Sequence, residues 1–538
     1  MNGTKHWGQS NFRAETIETG GTDLSSVLDV KAENKYTAAH GHAGRGYPWL
    51  KEGRLIEPFT KTHLKISSEE EFTDFQWHIH QVSNLNTPNG QFNHSSHTSE
   101  PHITLEFPTI GNYEVQLVAS DPERAIHGIM KDVFFCRYVR RDVRHLDNWD
   151  RDMFLDAMQM LVQLQKHEGQ DMFGDSYKTL DDYVQIHLDQ AGNKLCDHMH
   201  DGLGFLTQHM ALTNQFETAL QLVSPKVTVP YWDFTLDKYE ALGSDNPSVA
   251  IWDQELWTGN WFGNTSGTSF AVSNGRFAFQ KITMDFNLTV RNPFGYMRAP
   301  WNMNKSPYLT RVHNFCGEYL NLETDWPSCE THWDWTFAGD YESWYTYAWH
   351  APYAPHATIH SYIGGYTQCG NVTEELKALG IDMPTMEKAM GHLLINPLIF
   401  VKSLWRFGYA ESPTYCTMDT PASECHLICN EKIDNITWDK SFMHHAQWLG
   451  DWEELFPIKW FPAVMKVMCN TPWASGEQLE AASPADPSFW PIHPTLERLF
   501  QYKRMVGNFS TTEWTNPDGK TEYCIYSSQS DCEGHHAE

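Results

Sequence analysis

The chain is poor in basic residues. Only 39 lysines and arginines stand against 68 aspartates and glutamates in 538 residues, so the formal net charge is −29. A surface with this excess of negative charge repels the phosphates of nucleic acids and the headgroups of anionic lipids. We therefore expect neither a nucleic-acid partner nor a membrane partner.

The sequence also lacks a long apolar run. No stretch reaches the roughly 18 consecutive apolar residues that are typical of a membrane-spanning helix, which predicts a soluble protein. Hydrophobic residues nevertheless make up 41% of the chain and aromatic residues 14%, enough to fill large cores and to exclude global disorder. At roughly 150 residues per domain, the length predicts two or three domains.

Paired cysteine motifs are missing as well. The eleven cysteines include no CxxC pair and no spacing typical of a zinc finger, so a structural zinc site is not expected. Disulfides persist in oxidising compartments. In an exported protein we expect them among the later cysteines, which are Cys416, Cys425, Cys429, Cys469, Cys524 and Cys532.

Two sequence features bear on export. The number of N-x-[ST] sequons favours a secreted or extracellular glycoprotein. The first ten residues, MNGTKHWGQS, nevertheless lack the basic segment and the following apolar segment of a signal peptide. The eight sequons begin at Asn2, Asn93, Asn264, Asn287, Asn304, Asn371, Asn435 and Asn508.

The first 140 residues are predicted to be β-rich. Apolar and polar residues alternate from Ile103 to Phe107 and, after a break, from Tyr113 to Ala119. This pattern predicts two half-buried strands joined as a hairpin. We expect an immunoglobulin-like sandwich over residues 1–140.

A helical pattern begins after this region. Asp147 can cap a helix whose apolar positions, Phe154, Met158, Leu161 and Val162, recur at helical spacing. We expect the rest of the chain to consist of a helical domain over 141–365, a cysteine-bearing insertion over 366–485, a last helix of the helical domain over 486–510 and a tail over 511–538.

Histidine is unusually frequent, with 28 in the chain, and it is the commonest metal ligand among side chains. His356 and His360 are four residues apart, so that they share one helix face, and His493 can supply a third imidazole. The histidine-bearing blocks are HDGLGFLTQH over 200–209, followed by VPYWDF over 229–234; PHATIHSYIGG over 355–365; and DPSFWPIHPTLERL over 486–499.

These blocks resemble the two copper-binding regions of the type-3 copper family, which comprises tyrosinases, catechol oxidases and molluscan haemocyanins. The resemblance covers residues 137–365 and 484–505. It implies a dinuclear site with two copper ions, three imidazoles to each ion, and a set of six imidazoles without carboxylates suits copper better than hard cations. The implied ligands are His187, His200 and His209 in the first region and His356, His360 and His493 in the second, with His198 competing for the place of His187.

The resemblance also implies a fold and a function. We expect a mainly α copper domain with a four-helix bundle at its centre, preceded by the β-rich domain. The family binds dioxygen and oxidises o-diphenols to o-quinones while dioxygen is reduced to water, so the expected partners are a phenolic substrate, with o-aminophenols as further substrates, and dioxygen. A dioxygen carrier like haemocyanin and a copper-binding extracellular glycoprotein without turnover are the alternatives.

The chain departs from the family pattern near the second region. Ala357 follows His356 where many tyrosinases have an asparagine that acts with an upstream glutamate, and Tyr347, not a glutamate, lies nine residues before His356. Both changes predict weak hydroxylation of monophenols. Glu497 lies one turn beyond His493, and we expect it to orient that ring as a hydrogen-bond acceptor.

Cys196 is a further departure. Fungal tyrosinases and molluscan haemocyanins have a cysteine two residues before the second ligand of the first region, and it is cross-linked to that imidazole. Here His198 holds that position, and Cys196 lies four residues before His200. The resemblance leaves a Cys196–His200 cross-link open, with a disulfide or a free thiol as the alternatives.

Overall fold

The chain divides into two units. The computed structural model describes residues 28–40, 54–68, 71–82, 92–195, 197–200, 202–319, 321–380, 397–436, 458–479 and 481–514. Contacts between residues separate Met1–Val139 from Arg140–Glu538. The first unit is β-rich and the second mainly helical, as the sequence predicts, and the finer division of the second unit stays a prediction.

The first unit contains eight described strands in two sheets. They are β1 (Asp29–Glu33), β2 (Arg54–Ile56), β3 (Lys61–Ser67), β4 (Asp74–Val82), β5 (Asn93–Thr98), β6 (His102–Glu106), β7 (Gly111–Asp121) and β8 (Ile126–Cys136), with helix α1 (Lys35–His40) after β1. One sheet has the order β1-β3-β6 and the other the order β2-β8-β7-β4-β5. All pairings are antiparallel except the parallel pair of β2 and β8.

One hydrophobic core joins the two sheets. Successive side chains of a strand point to opposite faces, and on β7 the alternate residues from Tyr113 to Ala119 are buried. Val30 and Leu64 of the smaller sheet belong to the same core cluster. The immunoglobulin-like topology stays a prediction.

The strands around Ile103 and Val115 do not form the predicted hairpin, so this prediction is wrong. Strand β6 pairs with β3 in the three-stranded sheet, whereas β7 lies between β4 and β8 in the other sheet. The chain therefore changes sheets between these strands. Alternation of apolar residues shows which face of a strand is buried, but it does not show with which strand it pairs.

The described helices of the second unit range from 4 to 19 residues in length. They are α2 (Asn148–Gln163), α3 (Lys166–Phe173), α4 (Leu180–Ala191), α5 (Phe205–Val223), α6 (Phe234–Ala241), α7 (Pro247–Ala250), α8 (Leu322–Asp325), α9 (Cys329–Phe337), α10 (Trp344–His350), α11 (Thr358–Gly364), α12 (Val372–Ala378), α13 (Pro397–Arg406), α14 (Phe461–Asn470) and α15 (Phe489–Val506). A π-helical turn, Pro352–Ala357, lies between α10 and α11. The two-residue strands β9 (Tyr366–Thr367) and β12 (Ala474–Ser475) pair with each other, as do β10 (Ala410–Glu411) and β11 (Ile428–Cys429).

The helix predicted after Asp147 is confirmed. The Asp147 side chain accepts a hydrogen bond of 2.9 Å from the backbone N–H of Asp150, one of the N–H groups that has no partner within the helix. Phe154, Met158 and Leu161 of α2 are buried. The cap and the apolar stripe thus define this helix locally.

Helices α5 and α15 pack against each other at the centre of the second unit. The rings of Phe216 and Trp490 stack at 3.5 Å between centroids. The Arg140 guanidinium donates to Glu217 of α5 and, at 2.6 Å, to Glu497 of α15. These contacts fix the relative position of the two helices, and the four-helix bundle stays a prediction.

The segment from 366 to 485 shares the main core of the second unit. Leu376, Phe400 and Phe461 of this segment belong to the same buried cluster as residues of α2 and α5. A fully buried ion pair, Arg298–Glu477, ties the end of the segment to the loop that follows α7, and a second one, Arg311–Asp486, ties the residue after the segment to the same loop. Its last described part is therefore built into the interior of the helical unit.

Three disulfides are present among the described residues. Two of them, Cys416–Cys425 and Cys429–Cys469, join cysteines that the sequence predicts to pair, and the third is Cys316–Cys369. Cys524 and Cys532 lie outside the described residues. Within the described part, no helix combines the length and the apolar composition that a bilayer crossing needs.

One of the predicted sequons is inaccessible. Asn304 is only 6% exposed, and its amide donates hydrogen bonds of 2.8 and 2.9 Å to Thr310 and Ser475. An oligosaccharide transferase cannot reach this side chain in the folded chain. The sequons at Asn264, Asn287 and Asn371 are exposed.

Candidate metal centre

The six histidines singled out from the sequence converge in the helical unit. In each of two triads, one nitrogen per ring lies within 4.8 Å of the others, so that each triad could hold a metal ion. The triads adjoin, because the rings of His209 and His493 stack at 4.3 Å between centroids. The first triad is His187, His200 and His209, and the second is His356, His360 and His493.

Two helices and a loop carry the first triad. Helix α4 begins at a capping box in which Thr179 and Asp182 satisfy each other's backbone N–H groups. His187 lies on its buried face and His209 on the buried face of α5. His200 lies on the loop between these helices, and its side chain is 28% exposed.

The second triad comes from a broken helix and from α15. His356 is the second-last residue of the π-helical turn and His360 lies one turn later on α11, with their rings 4.2 Å apart. His493 lies within the first turns of α15, 4.8 Å from the ring of His356. All three rings are buried.

Backbone carbonyl oxygens orient four of the six rings. A carbonyl oxygen can only accept a hydrogen bond, so the proton lies on Nδ1 and the lone pair of Nε2 is left for a metal ion. The bonds run from Nδ1 of His187 to Ala481 at 2.5 Å, of His209 to Phe205 at 2.8 Å, of His356 to Pro352 at 3.1 Å and of His360 to Gln478 at 2.9 Å.

The Nε2 atoms that result lack ordinary partners. Those of His187 and His209 lie 3.3 Å apart with both Nδ1 protons already placed, so two lone pairs face each other. Those of His356 and His360 are buried without a hydrogen bond in the described structure. Buried polar atoms rarely stay unsatisfied. A cation bound in each triad would remove the repulsion between the lone pairs in the first and would supply the missing partner of the nitrogens in the second.

Burial keeps the five buried imidazoles neutral. Burial and then the neighbouring His200 lower the pKa of His187 to about 3, and burial lowers the pKa of His360 to about 4. The pKa values of His209, His356 and His493 are held well below the usual histidine value, first by burial and then by the adjacent imidazoles. Neutral imidazole is the form that binds a metal ion.

Two phenylalanine rings form the apolar wall between the triads. Phe205 lies 4.4 Å from the ring of His209 and 4.6 Å from that of His356. Phe489 lies 4.4 Å from the ring of His493. Both phenylalanines are buried, so they exclude water from the rings on this side.

Asp197 is a site residue that the sequence analysis missed. Its carboxylate oxygens lie 3.0 and 3.1 Å from Nδ1 of His200. An aspartate three residues before a candidate ligand histidine is a signal that was available in the sequence. The carbonyl groups of Gln478 and Ala481 had no such signal, because every residue carries a carbonyl.

Two expectations about neighbouring residues are corrected or untested. The Glu497 carboxylate accepts from Arg140, and neither ring nitrogen of His493 has a hydrogen bond within the described structure. Glu497 therefore does not orient His493, because Arg140 holds the carboxylate.

Cys196 lies outside the described residues, so the Cys196–His200 cross-link stays open, and His198 belongs to neither triad.

The donor set suits copper. Imidazole nitrogen is a ligand that copper prefers, and within the described residues no carboxylate belongs to either triad. Two adjacent sites of three imidazoles, without a bridging carboxylate, do not match a di-iron centre. The residues present therefore fit a copper pair.

The chain is similar to known proteins over part of its length. A family model described as the common central domain of tyrosinase matches residues 177–390, a range that contains five of the six histidines and ends before His493. Grixazone synthase of Streptomyces griseus subsp. griseus is 35% identical over 88 residues, 15% of this chain and 26% of that protein. The chain thus spans about a quarter of the length of this curated relative.

Proposed function

Since the central domain of this chain belongs to the type-3 copper family, we propose that the protein is a dicopper oxidase of o-diphenols. Two o-diphenol molecules each lose two electrons and two protons and leave as o-quinones. One dioxygen molecule takes up the four electrons and four protons and becomes two waters. The dioxygen carrier and the glycoprotein without turnover are the competing functions.

The observation that carries this proposal is the adjacency of the two triads. The rings of His209 and His493 belong to different triads and are in van der Waals contact at 4.3 Å between centroids. Metal ions held by these two triads would be neighbours, as joint action on one dioxygen molecule requires. Copper, when bound, supplies the one-electron redox chemistry, and we assign His187, His200 and His209 to one ion and His356, His360 and His493 to the other.

The protein's own residues prepare this chemistry. The carbonyl groups that accept from Nδ1 hold the imidazoles in one tautomer, so that the ligand nitrogens need no proton loss before they bind metal. Phe205 and Phe489 keep water from the inner side of the rings. His200 is the partly exposed ligand, and we propose that the phenol approaches from its side.

Two residues favour o-diphenols and o-aminophenols over monophenols. Hydroxylation of a monophenol needs a base that removes the phenol proton. Burial raises the pKa of Tyr347 well above its usual value, and its ring stacks on Trp335 at 4.1 Å, so this phenol cannot serve as that base at neutral pH. Ala357 offers only a methyl group.

The test measures oxygen consumption and copper content together. Copper-loaded protein is expected to hold two copper ions and to consume one dioxygen for every two catechol or 2-aminophenol molecules oxidised, with phenol oxidised far more slowly. His360→Ala is expected to abolish oxidation because one ion loses a ligand, whereas His167→Ala, on the exposed face of α3, serves as the matched control. Reversible oxygen binding without catechol oxidation would show a carrier, and two bound coppers with neither property would show the glycoprotein without turnover.

We also propose that the protein is secreted. The three disulfides support an oxidising compartment. Expression in a eukaryotic secretory host is expected to add oligosaccharides at exposed sequons such as Asn264, Asn287 and Asn371 but not at the buried Asn304, which mass spectrometry of the glycopeptides can measure. Absence of glycans at every exposed sequon would count against export through that route.

A further inference from the structure

His200 is the candidate ligand with the least support from its backbone. The other five histidines lie on helices or helical turns and are at most 8% exposed. His200 lies on the loop between α4 and α5, with 28% of its side chain exposed. A ring in this position needs another contact to hold it in a single orientation.

Asp197 makes that contact. Its Oδ1 atom accepts hydrogen bonds from the backbone N–H groups of Met199 at 3.0 Å and of His200 at 2.9 Å. The same carboxylate lies 3.0 Å from Nδ1 of the His200 ring. A carboxylate accepts and does not donate, so the ring proton lies on Nδ1 and the lone pair of Nε2 is directed away from Asp197.

Helix α13 in turn holds Asp197. The carboxylate is only 1% exposed, and a buried charge is costly without a countercharge. The ammonium of Lys402 lies 2.5 Å from Oδ2, and the guanidinium of Arg406 lies 4.0 Å from it. Arg406 also donates at 2.5 Å to the carbonyl of Ala191, the last residue of α4.

The same helix contacts the loop at a third point. The ammonium of Lys194 lies 4.0 Å above the ring of Trp405 and bonds to the Trp405 carbonyl. Helix α13 thus contacts the last residue of α4, Ala191, and the first half of the following loop at Lys194 and Asp197. This helix lies in the segment that the sequence predicts to be an insertion.

We propose that Asp197 is a positioning residue for His200 and that helix α13, through Lys402, positions Asp197. The carboxylate sets the tautomer and the orientation of this one imidazole, so it acts selectively on the metal ion of the first triad. In the second triad, the described acceptors of the ring protons are carbonyl oxygens. The inference rests on the proposed dicopper function.

The experiment is a copper titration of metal-free protein in competition with a chromophoric chelator, with copper content confirmed by mass spectrometry. Wild type is expected to bind two ions. Asp197→Asn is expected to lower the affinity for one copper ion 10- to 100-fold, the range for loss of a hydrogen-bond partner of a ligand histidine. The affinity for the other ion is expected to stay unchanged. Lys402→Met is expected to lower the affinity for the same ion as Asp197→Asn.

Loss of a buried charge can also destabilise the fold, so a charge-balanced variant is included. Asp197→Asn/Lys402→Met removes the anion together with one cation, and it is expected to fold and still to show the selective weakening. Asp434→Asn/Lys466→Met removes an exposed ion pair of the same chain segment and is expected to bind both ions like wild type.

The outcomes separate the two proposals. A wild-type protein that binds no copper pair would refute the proposed function. A wild type with two ions and a charge-balanced variant that binds both as tightly would overturn the role of Asp197 alone. Equal weakening of both ions in that variant would overturn it as well, because a general loss of structure affects both triads.

Discussion

Removal of copper should make the protein sensitive to acid. In the metal-free fold the buried imidazoles resist protonation, with the pKa of His187 lowered to about 3 and that of His360 to about 4 by burial. In the unfolded chain the pKa of histidine is about 6.5, so acid drives protons onto the unfolded state. The stability associated with these groups is therefore fully present above pH 6.5 and is lost as the pH falls towards 4.

The size of this loss follows from the two pKa values. Between pH 7.5 and pH 5, each of these two histidines is expected to remove about 2 kcal/mol from the free energy of unfolding, or about 4 kcal/mol together. His209, His356 and His493, whose pKa values are also lowered, add losses of the same sign. Domains have a total stability of roughly 5–15 kcal/mol, so the metal-free protein should approach unfolding near pH 5.

The assay is urea unfolding of the metal-free protein at pH 7.5 and pH 5, followed by tryptophan fluorescence. His360→Asn removes one of the titrating groups. The free energy of unfolding of this variant should therefore fall by about 2 kcal/mol less than that of wild type between the two pH values. His167→Asn serves as the substitution control, because this side chain is exposed on α3 and lies outside both triads. Copper should raise the unfolding midpoint at pH 7.5, because a ligand that binds only the folded state stabilises it.

If the free energy of unfolding falls equally in wild type and in His360→Asn between pH 7.5 and pH 5, this reasoning is refuted. That result would mean that the acid sensitivity comes from groups outside the triads, such as the carboxylates that pair with arginines. A metal-free protein equally stable at both pH values would also refute it, because the imidazoles would then titrate alike in the folded and unfolded states.

Three further substitutions test the surroundings of the site. Gly364→Ala would place a Cβ atom 2.3 Å from Cβ and 2.4 Å from the backbone N of Leu479, so we expect about 1–3 kcal/mol of destabilisation and loss of one copper ion, measured by urea unfolding and metal analysis; a full complement of copper would contradict this. Tyr347→Phe removes a buried hydroxyl that has no hydrogen-bond partner in the described structure, so the free energy of unfolding should stay the same or rise by up to about 1 kcal/mol, and a clear loss of stability would show a partner. Asp147→Ala should cost about 1 kcal/mol by loss of the α2 cap while copper content stays at the wild-type value, and a thermal melt that matches wild type would show that the cap is dispensable.

The amino-acid sequence by itself determined the features that depend on residue type and local spacing. The Asp147 cap, the helical stripe of α2 and the alternation on β7 follow from backbone geometry within a few residues. The six histidines could be named because an imidazole has distinctive metal-binding chemistry, and their local spacing matches a known pattern.

Only the tertiary structure decided what depends on contacts between distant residues. It paired Glu497 with Arg140 and not with His493, it assigned neighbouring strands to different sheets, and it brought the Ala481 carbonyl to His187 across 294 positions of sequence. The physical reason is that carbonyl groups are the same in every residue and that long-range packing selects among them. The site thus combines candidate ligands that the sequence names with a support that only the folded chain assembles.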